Sequence, residues 1–547
     1  MLRSRTFAVV GILLSCWPYR LAGQKTPTDL IIAGKSSTSS ASLGTPQSPA
    51  VRFKQAVNYA SIGPYTDSVA IGDLNGDGRP DLVTTGYLAS GSVMLGNGDG
   101  TFQPALGFNL NSNGSLVSMV TIADVNGDGK PDLVVANRCT DNSCYPDGSV
   151  SILLGNGDGT FEPLVNYDSG GYIASSVAVG DVNGDGHPDL VVSDWCQTYD
   201  CPSGHAGGIG VLLGNGDGTF QPVVFYSAGY RAAWAAVADL NHDGRLDVAV
   251  ADVCQDNSCA SGHGAVNVLL GIGDGTFQPA VPYDSGGFNA SSVTIGDLNS
   301  DGYPDLVVTD HCQDSGCTSG NGAVAALLGN GDGTFREPVT YTTAGYDAVS
   351  VAIADVNGGP VDLVVANHCK VFTKYCSQGG AGSGGISVLV GNGDGTFQTP
   401  IAFYTGTYGA SQVLVADVNG DRRPDLLVAN ECSIAKGNSC TTNGTVGVLL
   451  NSLFDPAPTT VTSSVNPSIV NQAVTFTATV TSSPSIPDGE IITFYDGTTS
   501  IGTAPTKAAT AILTVSFSKT GTHNVKAAYP GDLYHKAAAG SIKQIVN

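Results

Sequence analysis

One nine-residue phrase recurs seven times along this chain, beginning at Asp73, Asp124, Asp181, Asp239, Asp297, Asp355 and Asp417, at intervals of 51, 57, 58, 58, 58 and 62 residues. Self-similarity at a period near that length marks a repeat architecture, in which each unit buries its apolar face only against its neighbours. The third copy reads D-V-N-G-D-G-H-P-D. Side-chain oxygens stand at positions one, three, five and nine (Asp181, Asn183, Asp185, Asp189), with Gly186 at the turn. A short loop surrounds a hard cation with oxygen in this way. An EF-hand begins similarly but places its last acid at position twelve and continues into a helix; here Leu-Val-Val follows the ninth residue, which reads as a strand.

The loops differ in quality. Four side-chain positions and the glycine are present in Asp73, Asn75, Asp77 and Asp81; in Asp124, Asn126, Asp128 and Asp132; in the Asp181 copy; in Asp239, Asn241, Asp243 and Asp247; and in Asp297, Asn299, Asp301 and Asp305. The seventh keeps Asp417, Asn419, Asp421 and Asp425, but Arg422 replaces the glycine. The sixth, from Asp355, is one residue short, lacks the central acid and reads as a turn. Three carboxylates packed into nine residues repel one another unless a cation lies between them. About five structural calcium sites are therefore expected, in preference to plain Asx-rich turns, with dissociation constants of about 0.1 to 1 mM as in extracellular modules.

Strand signals surround each loop. In the third unit, Ser176 to Gly180, Asp189 to Ser193, Gly208 to Leu213 and Phe220 to Tyr226 read as four strands, the last entered through Gly214-Asn215-Gly216-Asp217-Gly218. Asn-Gly and Asp-Gly supply the positive φ that tight hairpins need. Four antiparallel strands in each of seven units predict an all-β, seven-bladed β-propeller over residues 51–454. The seventh unit ends at Asn451 without a fourth strand, and a spare one, Arg52 to Tyr59, lies in front of the first. Pairing the two removes the open sheet edges. After a proline linker at 455–458, residues 459–547 carry short alternating Thr/Val-rich strands that read as a β-sandwich.

A net charge of -24 with only 13% charged residues and 41% apolar ones excludes a disordered acidic chain. It argues against nucleic acid and anionic membranes as partners and favours cations or neutral ligands. Arg3 and Arg5, the apolar run from Phe7 to Trp17, and Leu21-Ala22-Gly23 read as a signal peptide over 1–23. The alternative is a lipoprotein box ending at Cys16. No segment is long and apolar enough to span a bilayer, and 24–50 reads as a flexible Ser/Thr/Pro-rich tether. A secreted or surface-associated protein is expected.

Twelve further cysteines fall into local pairs: Cys139/Cys144, Cys196/Cys201, Cys254/Cys259, Cys312/Cys317, Cys369/Cys376 and Cys432/Cys440. In an exported chain these predict six disulfides, each clamping the loop between second and third strands; zinc is the alternative. Connections between blades carry an aromatic nine residues before the acidic phrase, at Tyr172, Tyr230, Phe288, Tyr346 and Tyr408, with Tyr65 displaced by one. These rings either form a ligand face or pack between blades. Asx residues two places before each first cysteine read as turn caps.

The repeat, carried by I-G-D-L-N-G-D-G-R-P-D-L from Ile71 and its six relatives, resembles the FG-GAP/VCBS repeat of integrin-α-like propellers. The tail resembles bacterial Ig-like domains through I-T-F-Y-D-G-T from Ile492 and G-T-H-N-V-K-A-A-Y-P-G-D from Gly521. The first resemblance implies recognition of an extracellular protein or a glycan. No catalytic motif is present, so an enzyme is not expected; a carbohydrate-active enzyme or lectin with its site in the propeller mouth is the alternative.

Overall fold

The computed structural model describes residues 51–547 apart from 87–89, 111–115, 139–147, 199–205, 256–261, 315–319, 370–382, 434, 437–438, 441, 453–457, 482–485, 487 and 532–536. The signal and tether segments, most of the linker, Cys16, Cys139, Cys144, Cys201, Cys259, Cys317, Cys376 and the Cys440 side chain lie outside the described residues. Every described element is a strand, and no described helix is long and apolar enough to cross a membrane. The chain forms two compact units that meet in sequence at 451/452, with 51–53 grouped with the second.

In the first unit the described strands pair into seven four-stranded antiparallel sheets. In the third sheet, Tyr172–Gly180, Asp189–Cys196, Gly207–Leu212 and the start of Val224–Ala238 lie in that order. The rest of Val224–Ala238 opens the fourth sheet, so one continuous strand serves two neighbours; Val281–Gly296 and Ile401–Ala416 do the same. The outer strand begins at Val224, four residues later than the sequence suggests: Phe220 makes only an isolated bridge to Gly214. In the seventh sheet Val57–Pro64 pairs with Asn443–Leu449, Val57 opposite Val448 and Tyr59 opposite Val446. The expected exchange of a front strand for a missing last one is thus present.

Side chains close the ring. Gln412 Oε1 of the seventh sheet accepts the Val69 amide of the first at 2.7 Å, and equivalent bonds run from Val120 N–H to Ser68 Oγ and from Ala235 N–H to Ser176 Oγ. Val69, Leu82 and Met94 share an apolar cluster with Leu414, Leu427 and Val446. At the periphery, an aromatic of each outer strand meets the phenylalanine of the next sheet's turn. Tyr59–Phe102, Tyr167–Phe220, Tyr226–Phe277, Tyr283–Phe335 and Tyr341–Phe397 are edge-to-face at 5.4 to 5.6 Å. Each such pair contributes about 0.5–1.5 kcal/mol beyond the area it buries.

The last residue of every acidic phrase, the ninth in all but the shortened sixth, is fully buried: Asp81, Asp132, Asp189, Asp247, Asp305, Asp362 and Asp425. In the third sheet Asp189 Oδ2 accepts the Val182 amide at 2.9 Å and Oδ1 accepts the Gly214 amide at 2.7 Å. The same two bonds recur in all seven sheets, including the sixth, where Asp362 takes Val356 and Gly391, and the seventh, where Asp425 takes Val418 and Asn451. One carboxylate thereby ties the acidic loop to the opposing hairpin turn.

The second unit is a sandwich of two sheets. Thr459–Ser463, Ala473–Val480 and Thr510–Ser516 form one; Thr499–Pro505, Ile491–Asp496, Gly521–Tyr529 and Ala538–Val546 form the other. Phe476, Phe494, Val525 and Tyr529 fill the space between them. The strand Thr499–Pro505 escapes the sequence reading because its glycine and proline break the alternation.

Because the sixth acidic loop lacks its central acid, Asp362→Ala isolates the clamp from any metal effect. Leaving two buried amides unpaired is expected to cost about 2–5 kcal/mol, equally with and without chelator, as read by denaturant unfolding of the propeller.

Candidate functional site

Two ends of the ring carry chemistry. At one end each acidic loop is curled by its own side chains. Asp181 Oδ1 accepts the Gly184 and Asp185 amides at 2.7 and 3.1 Å, and Oδ2 accepts Gly186 at 2.8 Å. Asn183 Oδ1 also accepts the Asp185 amide, and Asp185 Oδ1 accepts His187. The same pattern holds in the Asp73, Asp124, Asp239 and Asp297 loops. Arg422 takes the glycine's place in the seventh with φ of 67°, a left-handed conformation that strains a side-chain-bearing residue.

The donors at positions one, three and five are all oxygens, suited to a hard cation. The ninth acid has a second role that the sequence reading did not assign, since both its oxygens accept backbone amides. Among the described residues, no three His, Cys, Asp or Glu side chains stand together as a metal-holding group. Each of the five intact loops offers one half-buried carboxylate, one exposed carboxylate and one amide oxygen. Burial raises the Asp189 carboxyl, and the Asp185 and Asp181 charges raise it further, so the loop's acids do repel one another.

At the other end lie the predicted aromatics and cysteines. Tyr172, Tyr230, Phe288, Tyr346 and Tyr408 are half-buried and each pairs across the sheet with the first cysteine, Cys196, Cys254, Cys312, Cys369 or Cys432. Phe288 also stacks on His263 at 4.3 Å. Tyr230 also packs between blades, sharing an apolar cluster with Trp195 of the preceding sheet. The Asx residues before the cysteines are not turn caps. They sit buried inside strands, where Ser285 Oγ donates to Asp310 and Asn367 Nδ2 donates to Ser387 Oγ. Burial pushes the Asp252 and Asp310 carboxyls well above the usual carboxylate range.

What the sequence reading missed is the residue between each buried Asx and its cysteine: Arg138, Trp195, Val253, His311, His368 and Glu431. Everything flanking this position repeats, while the position itself does not. Just after each aromatic comes a second variable residue, Ile173, Arg231, Asn289, Asp347 or Gly409, with φ between 58° and 65°, next to a bulge in the innermost strand. Left-handed non-glycine residues persist where the surroundings hold them, often at functional sites. Aligning the repeats against one another would have exposed both positions.

These side chains interact across blades. His311 Nδ1 contacts Asp347 Oδ1, and His368 Nδ1 lies 3.8 Å from Glu431 Oε1. Burial pushes the Asp347 carboxyl up, but His311 and then His368 outweigh it and hold it below the usual range. Burial raises Glu431, opposed by His368 and reinforced by Asp347. Asp67 occupies the position at which Ser118, Ser175, Ser291 and Ser411 donate to a carbonyl of the next sheet. Burial, with the Glu431 charge added, raises its carboxyl to about 7 against the opposing pull of Arg138 and His368. On the far side, the Arg231 guanidinium lies 5.9 Å from the Trp195 ring centre, and Trp195 and Tyr230 pack on Ala233, Val253 and Cys254.

A ring of four-stranded sheets, each with an acidic loop and its first and last strands joined, is a β-propeller of the repeat type. The chain belongs to the FG-GAP-like repeat family, which matches residues 73–135, 139–192, 200–250, 253–308 and 359–428; a bacterial Ig-like domain (group 3) matches 461–547. It is 30% identical over 186 residues to phosphatidylinositol-glycan-specific phospholipase D of Mus musculus, covering 30% of this chain and 22% of that protein. With integrin alpha-IIb of Mus musculus it shares 31% identity over 180 residues, 29% of this chain and 17% of the other. The chain thus spans about a fifth of the length of these relatives. A solved plexin A4 extracellular region aligns over 90% of this chain and 62% of its own with 7% identity and a TM-score of 0.46.

An acid whose folded pKa exceeds its unfolded value binds an extra proton in the native state, so its contribution is lost as pH rises between the two. Asp67 is therefore expected to lower propeller stability as pH rises from about 4 to about 7. Asp67→Asn should flatten that part of the melting-temperature profile relative to the unsubstituted chain.

Proposed function

We propose that this chain is an exported, calcium-stabilised recognition module that binds an extracellular protein or glycan at the cysteine-bearing end of its ring. One observation carries the reading. Residues that vary from copy to copy gather at that end, in strained backbone and with opposed charges, while the opposite end repeats. A scaffold repeats what holds it together and varies what it presents. The distant integrin relationship supports an extracellular setting, and the signal-like first segment supports export. The role is binding rather than turnover.

Calcium belongs to the repeating end. The first, third and fifth residues of the five intact loops would hold it, and the ion would neutralise the repulsion between their carboxylates. Disulfides would fix the loops beside the binding end. Peptide mapping of the non-reduced chain would check each pairing.

Two measurements test the proposal. Calcium at 100 times its dissociation constant should stabilise the propeller by about 2.7 kcal/mol per occupied site. Chelator should reverse the gain, and Asp185→Ala should remove one site's share; a melting curve indifferent to calcium refutes the metal. For recognition, the mature chain is titrated against panels of purified extracellular proteins and glycans. Saturable binding weakened at least tenfold by Glu431→Ala supports the reading, and absence of saturable binding to either panel contradicts it.

A further inference from the structure

We infer that the mouth of the propeller is a binding site for a neutral glycan, with an apolar wall built on Trp195 on one side of the ring and a polar wall built on Asp67, Asp347, His368 and Glu431 on the other. The inference rests on the recognition role proposed above and assigns its ligand class.

The polar wall is incomplete as it stands. Glu431 is only 7% exposed, yet His368 Nδ1 beside it is 3.8 Å away, beyond hydrogen-bond distance. Its carboxylate is given room by Gly409: a Cβ there would come within 2.8 Å of Glu431 Oε2. The corresponding residues of neighbouring blades are Ile173, Arg231, Asn289 and Asp347, so the seventh blade has exchanged a side chain for space around an acid. Across the ring, Trp195 Nε1 is buried with no hydrogen-bond partner among the described residues. A nearly buried carboxylate and a buried indole N–H, both short of partners, call for a ligand that donates as well as accepts.

Charge selects the kind of ligand. Asp67, Asp347 and Glu431 are set against Arg138, Arg231 and two histidines, so the mouth holds dense donors and acceptors, with charges of both signs. Neither a polyanion nor a basic peptide is matched by such a surface, and the chain's overall acidity disfavours the former. A neutral pyranose is matched, because its hydroxyls donate to carboxylates and accept from guanidinium and imidazole N–H groups, while its C–H face is apolar. The Trp195, Tyr230, Ala233 and Val253 cluster supplies the apolar wall, and Arg231 braces the indole. A few placed polar groups on an aromatic wall make an ordinary small-molecule site.

The experiment is a glycan array of neutral, acidic and sulfated oligosaccharides probed with the mature chain in calcium, beside a parallel array of extracellular proteins and an arginine-rich peptide. Binding confined to neutral glycans is expected. It should fall at least tenfold in Glu431→Gln and in Trp195→Phe, variants that keep volume and fold, with melting temperatures confirming the latter, and be unchanged in Leu106→Ser at the outer rim. Binding of proteins without glycans overturns the sugar assignment and leaves the recognition role standing. Binding of the arginine-rich peptide alone, of acidic glycans alone, or of neutral glycans undiminished in both mouth variants also overturns it.

Discussion

A buried carboxylate placed between two loops is what the propeller depends on. Each ninth-position aspartate satisfies one amide from the acidic loop and one from the hairpin turn that faces it, groups that would otherwise be lost inside the sheet end. Burying a charge is unfavourable unless it is fully hydrogen-bonded, and the raised carboxyls of Asp247, Asp362 and Asp425, each about 6, show that cost. The arrangement survives in the sixth blade, where the loop's central acid is gone. Clamping and ion binding are therefore separable duties within one phrase.

That separation orders the remaining contacts. With loop and turn tied together, the turn's phenylalanine is presented to the neighbour's tyrosine, and the turn's glycine reaches the neighbour's loop: the Gly159 amide donates to Leu74 O at 3.1 Å, and Gly275 to Val182 O at 3.3 Å. Blade contacts thus follow from contacts inside each blade. The end of the ring bearing the cysteines is released from this duty, and there the side chains diverge.

The period, the strand count and the strand exchanged between first and last sheets were legible in the sequence because each is written seven times. The turn-closing role of Asp189 was not legible, since a carboxylate that closes a turn and one that coordinates a cation occupy the same place in a pattern; the bonds to the Val182 and Gly214 amides appear only in the structure. The mouth was not legible for a different reason. Asp67, His311, Asp347, His368 and Glu431 come from four blades and are each a single departure from a repeat, so nothing local announces them. Tyr172 and its counterparts, which do repeat, proved to lie beside the cysteines they pair with.

The paired strands that close the ring also set a schedule. Ser61 and Asn443, whose hydrogen bond joins the first strand to the last complete sheet, are 382 residues apart in the chain. A chain emerging from its amino end can complete six sheets from neighbouring segments, but its earliest strand has no partner until nearly the whole propeller has been delivered. Contacts of such separation are slow to form. The early sheets must therefore stand as an open arc, with one strand held in reserve, and circularity arrives as a single late event.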